Sequence, residues 1–134
     1  MSIGLRILKR QRKVDATMVA KYRELPVANI SDSMNRMTAG GSRLRPMHAG
    51  GVMCGPALTV KTRPGDNLMV HKALDLAEAG DIVVVDAGGD LTNSLIGELM
   101  LAVAAGTIPS SSPVTSAPTR MVVNRASPAA AVPG

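Results

Sequence analysis

Apolar positions along the chain follow two periods, and the changes between them mark out its elements. The stretch "DATMVAKYREL" places Met18, Val19, Tyr22 and Leu25 at spacings of one, three and three, which predicts a helix with Asp15 as N-cap and Pro26 as its stop. "VANISDSMNRM" continues with Val27, Ile30, Met34 and Met37 at spacings of three, four and three, which predicts a second short helix. "TAGGSRLRPMHAGG" reads as a loop from its Gly and Pro content. "VMCGPALTVKT" reads as a strand with Leu58, Val60 and Thr62 on one face, and Gly55 and Pro56 mark a bulge or an edge. "RPGDN" is a turn. "NLMVHKALDLAEAG" predicts an amphipathic helix with Leu68, Val70, Ala73, Leu74 and Ala77 inward and Gly80 as C-cap. "DIVVVDAGG" is the clearest strand, an apolar run whose carboxyl end opens into a loop. "DLTNSLIGELMLAVAAG" follows, part loop and part helix. Helix, strand, helix, strand, helix is an α/β order. In such sheets ligands gather beyond the carboxyl ends of the strands, which here points to Asp86 through Glu98.

Composition narrows the classes. A chain of 134 residues is one domain at most, and Tyr22 is its only aromatic residue. Val, Leu, Ile, Met and Ala must therefore fill the core, with Met suited to irregular gaps. The single Cys54 excludes an internal disulfide and fits a reducing compartment. No apolar run approaches the ~20 residues of a membrane span, and the basic N-terminus lacks the apolar stretch of a signal peptide. The expected location is the cytoplasm, with no membrane partner. The net charge of +5 raises the question of nucleic acid. Arg6, Lys9, Arg10, Arg12 and Lys13 crowd the N-terminus, but no aromatic platform accompanies them for base stacking. They read as a solvated N-terminal segment rather than an RNA-binding arm, and no direct nucleic-acid contact is expected.

Three features could carry chemistry. The two glycines of "VVVDAGGD" could admit a ligand close to the backbone, or simply turn the chain from strand to helix. A helix beginning at Gly97 rather than Thr92 would present free N–H groups to a carboxylate or phosphate, with Glu98 beside that anion site. The alternative there is an exposed Glu inside a longer helix. In "RPGDN", Asp66 reads as a cap for the next helix. His48 and His71 are too isolated to argue a metal site, and Cys54 reads as an inert core thiol.

Taken in order, "PVANISDSMNRM", "GPALTVKTRPGDNLMVHKAL", "AGDIVVVDAGGD" and "SLIGELMLAVA" resemble the RraA-like family over about residues 3–104. That family includes 4-hydroxy-4-methyl-2-oxoglutarate aldolases, which also decarboxylate oxaloacetate, and regulators of ribonuclease E activity. The resemblance implies an α/β domain of the swivelling β/β/α type, assembled as a homotrimer with sites at subunit boundaries. It implies a divalent cation, Mg or Mn. It assigns the catalytic acid to Glu98, and the backbone grip on the pyruvate part of a small 2-oxo acid to Gly97, Glu98, Leu99 and Met100. The implied activity is a class II aldolase-type lyase cleaving 4-hydroxy-4-methyl-2-oxoglutarate to pyruvate, with oxaloacetate decarboxylase activity beside it.

The tail departs from that pattern. The family signature places twenty residues between the acid and Arg-Asp. Counted from Glu98, the Arg position falls on Thr119 here; Arg120 stands one place late and Met121 follows it. Arg120 is the remaining candidate for the substrate-binding Arg, and the metal-anchoring Asp is missing from its expected place. All ten acidic residues lie between Asp15 and Glu98, and five of the nine prolines lie after them. The sequence therefore divides into an RraA-like domain, 1–104, incomplete at its C-terminus, and a non-homologous Pro/Ser/Ala-rich tail, 105–134, expected to be disordered. Loss of reading frame near Ala104 is one account of the tail, and a short natural variant is the other. The strand at Ile82 to Val85 is expected to lose neighbours. Catalysis is expected to be impaired and magnesium binding weak. A non-catalytic protein that inhibits ribonuclease E, and a nonfunctional fragment, stay open beside the lyase.

Overall fold

In the computed structural model, residues 4–37, 44, 50–90, 92–106 and 120–123 are described, the last four by their backbone alone. Their order is α1 (Ala16–Arg23), α2 (Val27–Ser33), β1 (Ala57–Lys61), α3 (Leu68–Leu76), β2 (Ile82–Asp86), α4 (Glu98–Ala104) and β3 (Arg120–Val123). The three strands form one parallel sheet in the order β1-β2-β3. This is the α/β arrangement that the alternation of periods predicts.

The core lies on one face of the sheet. Val83 and Val85 point from β2 toward α3 and are buried, as is Val60 from β1. Val70, Ala73, Leu74 and Ala77 meet them from α3, and Leu95, Met100 and Ala104 close the cluster from the α4 side. Leu68, predicted inward, is exposed, because the buried stripe of α3 starts with Val70. No helix among the described residues is long and apolar enough to cross a membrane.

Several boundaries differ from the sequence reading, each for a local reason. The strand begins at Ala57 rather than Val52. Gly55 runs so close to the carbonyl oxygen of Gly80 that a Cβ there would stand 2.3 Å from it, and the Pro56 carbonyl then accepts from the Ile82 amide at 2.8 Å. Thr62, predicted in the strand, lies just past it and donates its amide to the Asp86 carbonyl. Gly80 does not cap α3. The C-cap is Ala77, already extended at φ −68° and ψ 138°, because the chain must leave the helix at once to reach β2. Gly80 serves the turn before β2 instead, at φ +83°, where only glycine is unstrained.

The first helix behaves as read at its start: the Asp15 carboxylate accepts the Met18 amide at 2.7 Å. Its apolar face and that of α2 stay largely open, with Met18, Tyr22, Leu25, Val27, Met34 and Met37 all exposed. The basic N-terminal segment is not simply solvated. Arg10 forks onto both oxygens of Asp81, and Lys13 reaches Glu78 and Asp81, so two of the five cations are spent inside the molecule.

The strand at Ile82–Asp86 also keeps two neighbours. It is the middle strand, with β3 pairing it in parallel from Ile82↔Arg120 to Val85↔Val123. That β3 falls within the 105–134 segment; residues 107–119 and 124–134 lie outside the described residues.

Candidate functional site

Parallel strands deliver their loops to one edge, and here the loops after β1 and β2 meet at that edge. Gly65 turns the first loop at φ +74°, with the Asn93 side chain of the second loop against it: a Cβ on Gly65 would lie 3.2 Å from Asn93 Cγ. Gly88 turns the second loop at φ +68°, within contact of Pro64 from the first. The helices that leave these loops also converge. Asn67, before α3, points its Nδ2 at the sulfur of Met100 in the first turn of α4 at 4.0 Å.

The helix-start question resolves in favour of Gly97. It is the N-cap of α4, extended at φ −104° and ψ 173°, and Glu98 is the first helical residue. The residues of this turn divide cleanly. Met100 is 6% exposed and anchors the turn in the core, while Glu98 and Leu99 face outward. No side chain caps the turn, and the first intrahelical bond onto Gly97 comes from the Leu101 amide. Amides of a first turn have no partner within the helix.

The acids of this edge are occupied in building its loops. Asp66 accepts the Leu68 amide at 3.1 Å and the Arg63 guanidinium at 3.2 Å. The amide, then the guanidinium, hold its carboxyl below the usual carboxylate range. Its capping role is as read, although Asn67 occupies the N-cap position itself. Asp86 accepts the Gly88 amide at 3.0 Å. Asp90 accepts the Thr92 hydroxyl at 2.7 Å, the Thr92 amide, and the side-chain and backbone N–H groups of Asn93. These donors, the Thr92 hydroxyl first, lower its pKa to about 2.

A divalent cation wants several hard oxygen ligands together. Among the described residues no three His, Cys, Asp or Glu side chains stand close enough to hold one. With Asp66, Asp86 and Asp90 turned onto their own loops, the donor set does not fit a cation site. His71 is exposed on α3, His48 lies outside the described residues, and Cys54 is half-buried with its thiol toward the Val19 carbonyl.

The sequence-predicted residues are thus brought together only in part. Gly97, Glu98, Leu99 and Met100 share one turn at the carboxyl edge. Arg120 does not join them. It opens β3 level with Ile82, at the amino end of the sheet, about three residues or ~10 Å below the edge at Val123. Sequence reasoning passed over Arg63 and Asn93. Asn93 was legible in principle, since Asp-x-Thr-Asn is a pattern in which an Asp side chain gathers the next amides. For Arg63 no local signal separates it from any surface arginine.

Comparison with known proteins gives the family of the chain. The family model for RraA-like proteins, described as Aldolase/RraA, matches residues 27–107. A protein of Halalkalibacterium halodurans named "Putative 4-hydroxy-4-methyl-2-oxoglutarate aldolase" is 36% identical over 94 residues. The match covers 70% of this chain and 44% of that protein, so the chain spans less than half the length of this curated relative. No solved structure matches the chain at a significant level.

Proposed function

The chain belongs to the RraA-like family, and from that premise we propose that it serves as an aldolase-type lyase for small 2-oxo acids. The proposed reaction cleaves 4-hydroxy-4-methyl-2-oxoglutarate to two pyruvates, with decarboxylation of oxaloacetate as a second activity. The observation that carries the reading is the start of α4. Gly97 and Glu98 open that helix at the carboxyl edge of the sheet, where parallel sheets bind their ligands.

In this reading the uncapped turn at Gly97–Met100 holds the carboxylate and developing enolate oxygen of the pyruvate half through backbone N–H groups. Glu98, exposed beside them, acts through a water. The proton leaves the 4-hydroxyl, the C3–C4 bond breaks, its electron pair passes into the pyruvate enolate, and the proton returns to C3. Arg120, at the other end of the sheet, receives no step. No step is assigned to a metal, because the acids of the edge are already used by their loops. The reading extends to a homotrimer. Leu99 and Leu101 support it, being 73% and 54% exposed on α4 beside Glu98, where a second subunit would cover them.

The test is pyruvate release from oxaloacetate and from 4-hydroxy-4-methyl-2-oxoglutarate, with and without Mg²⁺, for the native chain and Glu98→Gln. Release that falls at least tenfold in Glu98→Gln supports the reading. Release that Glu98→Gln leaves unchanged, or none above the solvent rate, removes it.

A further inference from the structure

Strand β1 stands at an open edge of the sheet, with β2 on one side and no strand on the other among the described residues. The bonds at its two ends fix which way its backbone faces. The Ile82 amide donates to the Pro56 carbonyl at 2.8 Å and the Thr62 amide to the Asp86 carbonyl at 2.9 Å. Alternate residues of a strand bond to the same neighbour. Leu58 and Val60 therefore face β2 along the register, and Ala57, Thr59 and Lys61 turn their N–H and C=O groups outward. All three are exposed, and nothing among the described residues pairs with those groups. A groove of about 1030 Å³ follows this edge, lined by the whole of β1, by α3 and by the N-terminal segment. Ile7, Leu8, Met69 and Leu76 give it apolar walls. Its charges are one-sided: Arg6, Lys9, Arg10, Lys61 and Lys72 stand against Asp86 alone. Arg10 is spent on Asp81, and Lys72 stands 3.9 Å from Asp75. Arg6, Lys9 and Lys61 make no ion pair with a described residue.

We propose that this edge is a docking site for an extended acidic segment of another protein, added beside β1 as a further strand. Main-chain bonds to Ala57, Thr59 and Lys61 hold it, the mode in which an exposed sheet edge takes a peptide. Side chains of a strand alternate between its two faces, so the partner carries two kinds of residue in turn. Leu58 and Val60 lie on the face that packs against α3, where Met69 and Leu76 offer apolar contact. Lys61 lies on the other face by alternation, with Arg6 and Lys9 in the same groove. The matching segment therefore alternates apolar and acidic residues over the five positions of β1. A second copy of this chain fits less well, because it brings a net charge of +5 and the same cations to the groove. The proposal stands apart from the lyase reading, since the groove includes no residue of α4 or of the loops that follow β1 and β2.

Calorimetric titration of the full chain with a capped hexapeptide of alternating Val and Glu tests this, beside the same peptide with Lys in place of Glu. The Val/Glu peptide is expected to bind about tenfold more tightly than the Val/Lys peptide, the size of two or three surface charge contacts. Lys61→Glu, an exposed change that breaks no described ion pair, is expected to weaken Val/Glu binding about fivefold and leave the circular dichroism unchanged. Two methylated peptides separate strand addition from plain charge attraction: one carries an N-methyl group on every Glu amide, the other on every Val amide. Only one set of amides can face β1, so one of the two peptides is expected to lose binding and the other to keep it. Loss with Glu methylated means an antiparallel partner, and loss with Val methylated a parallel one. Loss in both, or in neither, overturns the proposal. So does a Val/Lys peptide that binds equally well, or a Lys61→Glu chain that binds Val/Glu as the native chain does. A native chain that takes no peptide but dimerises, or that binds phosphatidylglycerol vesicles instead, also overturns it, in favour of a second copy or a membrane surface.

Discussion

The guanidinium of Arg10 clasps the carboxylate of Asp81 with two bonds, 3.1 and 2.6 Å long, across 71 residues of chain. Asp81 has no exposed side-chain surface, and it also accepts the Glu78 amide at 2.9 Å and stands 3.3 Å from Lys13. Burial opposes its ionisation, but Arg10 and the Glu78 amide outweigh that and hold its carboxyl below the usual carboxylate range. This clasp ties the extended N-terminal segment to the turn that begins β2.

The clasp makes stability depend on pH in one direction. A carboxyl whose pKa is depressed on folding stabilises fully above its unfolded value of ~3.9 and loses that contribution as pH falls toward its folded value. The midpoint of thermal unfolding should therefore drop below pH ~4, and Asp81→Asn should flatten the drop. Removing one partner of a buried pair costs ~3–5 kcal/mol. Because Arg10 is 23% exposed, a smaller loss of about 2 kcal/mol is expected for Asp81→Asn. An unchanged midpoint in Asp81→Asn at pH 7 would show that the clasp is ornamental.

Gly55 and Gly97 should respond oppositely to alanine. A methyl group on Gly55 meets the Gly80 carbonyl oxygen at 2.3 Å, and backbone cannot yield as a side chain can. Gly55→Ala should cost about 1–3 kcal/mol, the range for forced overpacking. At Gly97 a Cβ meets nothing within 4 Å and the backbone is extended, so Gly97→Ala should stay within ~1 kcal/mol of the parent. Denaturant unfolding of the two variants side by side checks both.

How much of this could be read from the chain depends on the range of the signal. Helices 1 and 3 and the central strand carry local signals: a cap at Asp15, a buried stripe at Val70, Ala73 and Leu74, and an apolar run at Ile82–Val85. Those positions came out as read, whereas the residues alone favoured Glu98 inside a longer helix and only the family resemblance pointed to the start at Gly97. The Arg10–Asp81 clasp was hidden because its partners are 71 residues apart and neither has a distinctive neighbourhood. Gly80 was misassigned as a cap because a glycine after a helix signals either a C-cap or the next turn, and only the path to β2 decides. Counting along the chain put Arg120 one place late for the Arg of the family signature. Strand register decides its height on the sheet, and counting does not contain register.

The Asp90 knot should hold the second loop still. Its carboxylate gathers four donors from Thr92 and Asn93, and its pKa lies at about 2. The carboxyl is depressed, so the loop should keep its form from neutral pH down to about pH 3 and loosen as pH falls through about 2. Asp90→Asn should mimic that loosening at pH 7. Hydrogen exchange at the Thr92 and Asn93 amides is the measurement, with severalfold faster exchange expected in the variant. Equal exchange rates would mean the loop is held by Asn93 against Gly65 alone.

The outward face of α4 predicts association. Leu99 and Leu101 are exposed next to the catalytic candidate Glu98, whereas Met100 and Ala104 on the same helix are buried. Exposed apolar patches of this kind mark interaction sites. In the proposed homotrimer, a subunit boundary covers them. Light scattering after size exclusion should give a mass of three chains for the native protein and one for Leu99→Asp, with the circular dichroism of each unchanged. A native monomer would remove the trimer from the reading.

Magnesium binding should be weak, because the acids at the carboxyl edge are already engaged. A hard cation needs about six oxygen ligands and several of them charged. Asp86 is bonded to the Gly88 amide, Asp66 to the Leu68 amide and Arg63, and Asp90 to four donors. Recruiting Asp66 or Asp90 competes with the bonds that shape their loops, and Asp86 and Glu98 alone cannot replace the set. Calorimetry with Mg²⁺ should show an affinity no tighter than about millimolar, the weak end of the range for oxygen-ligated cations. Asp90→Asn should leave that value unchanged, since Asp90 is spent on its loop. Micromolar binding that Asp90→Asn or Asp86→Asn abolishes would mean that the loops open to form a cation site and that their hydrogen bonds are its resting state.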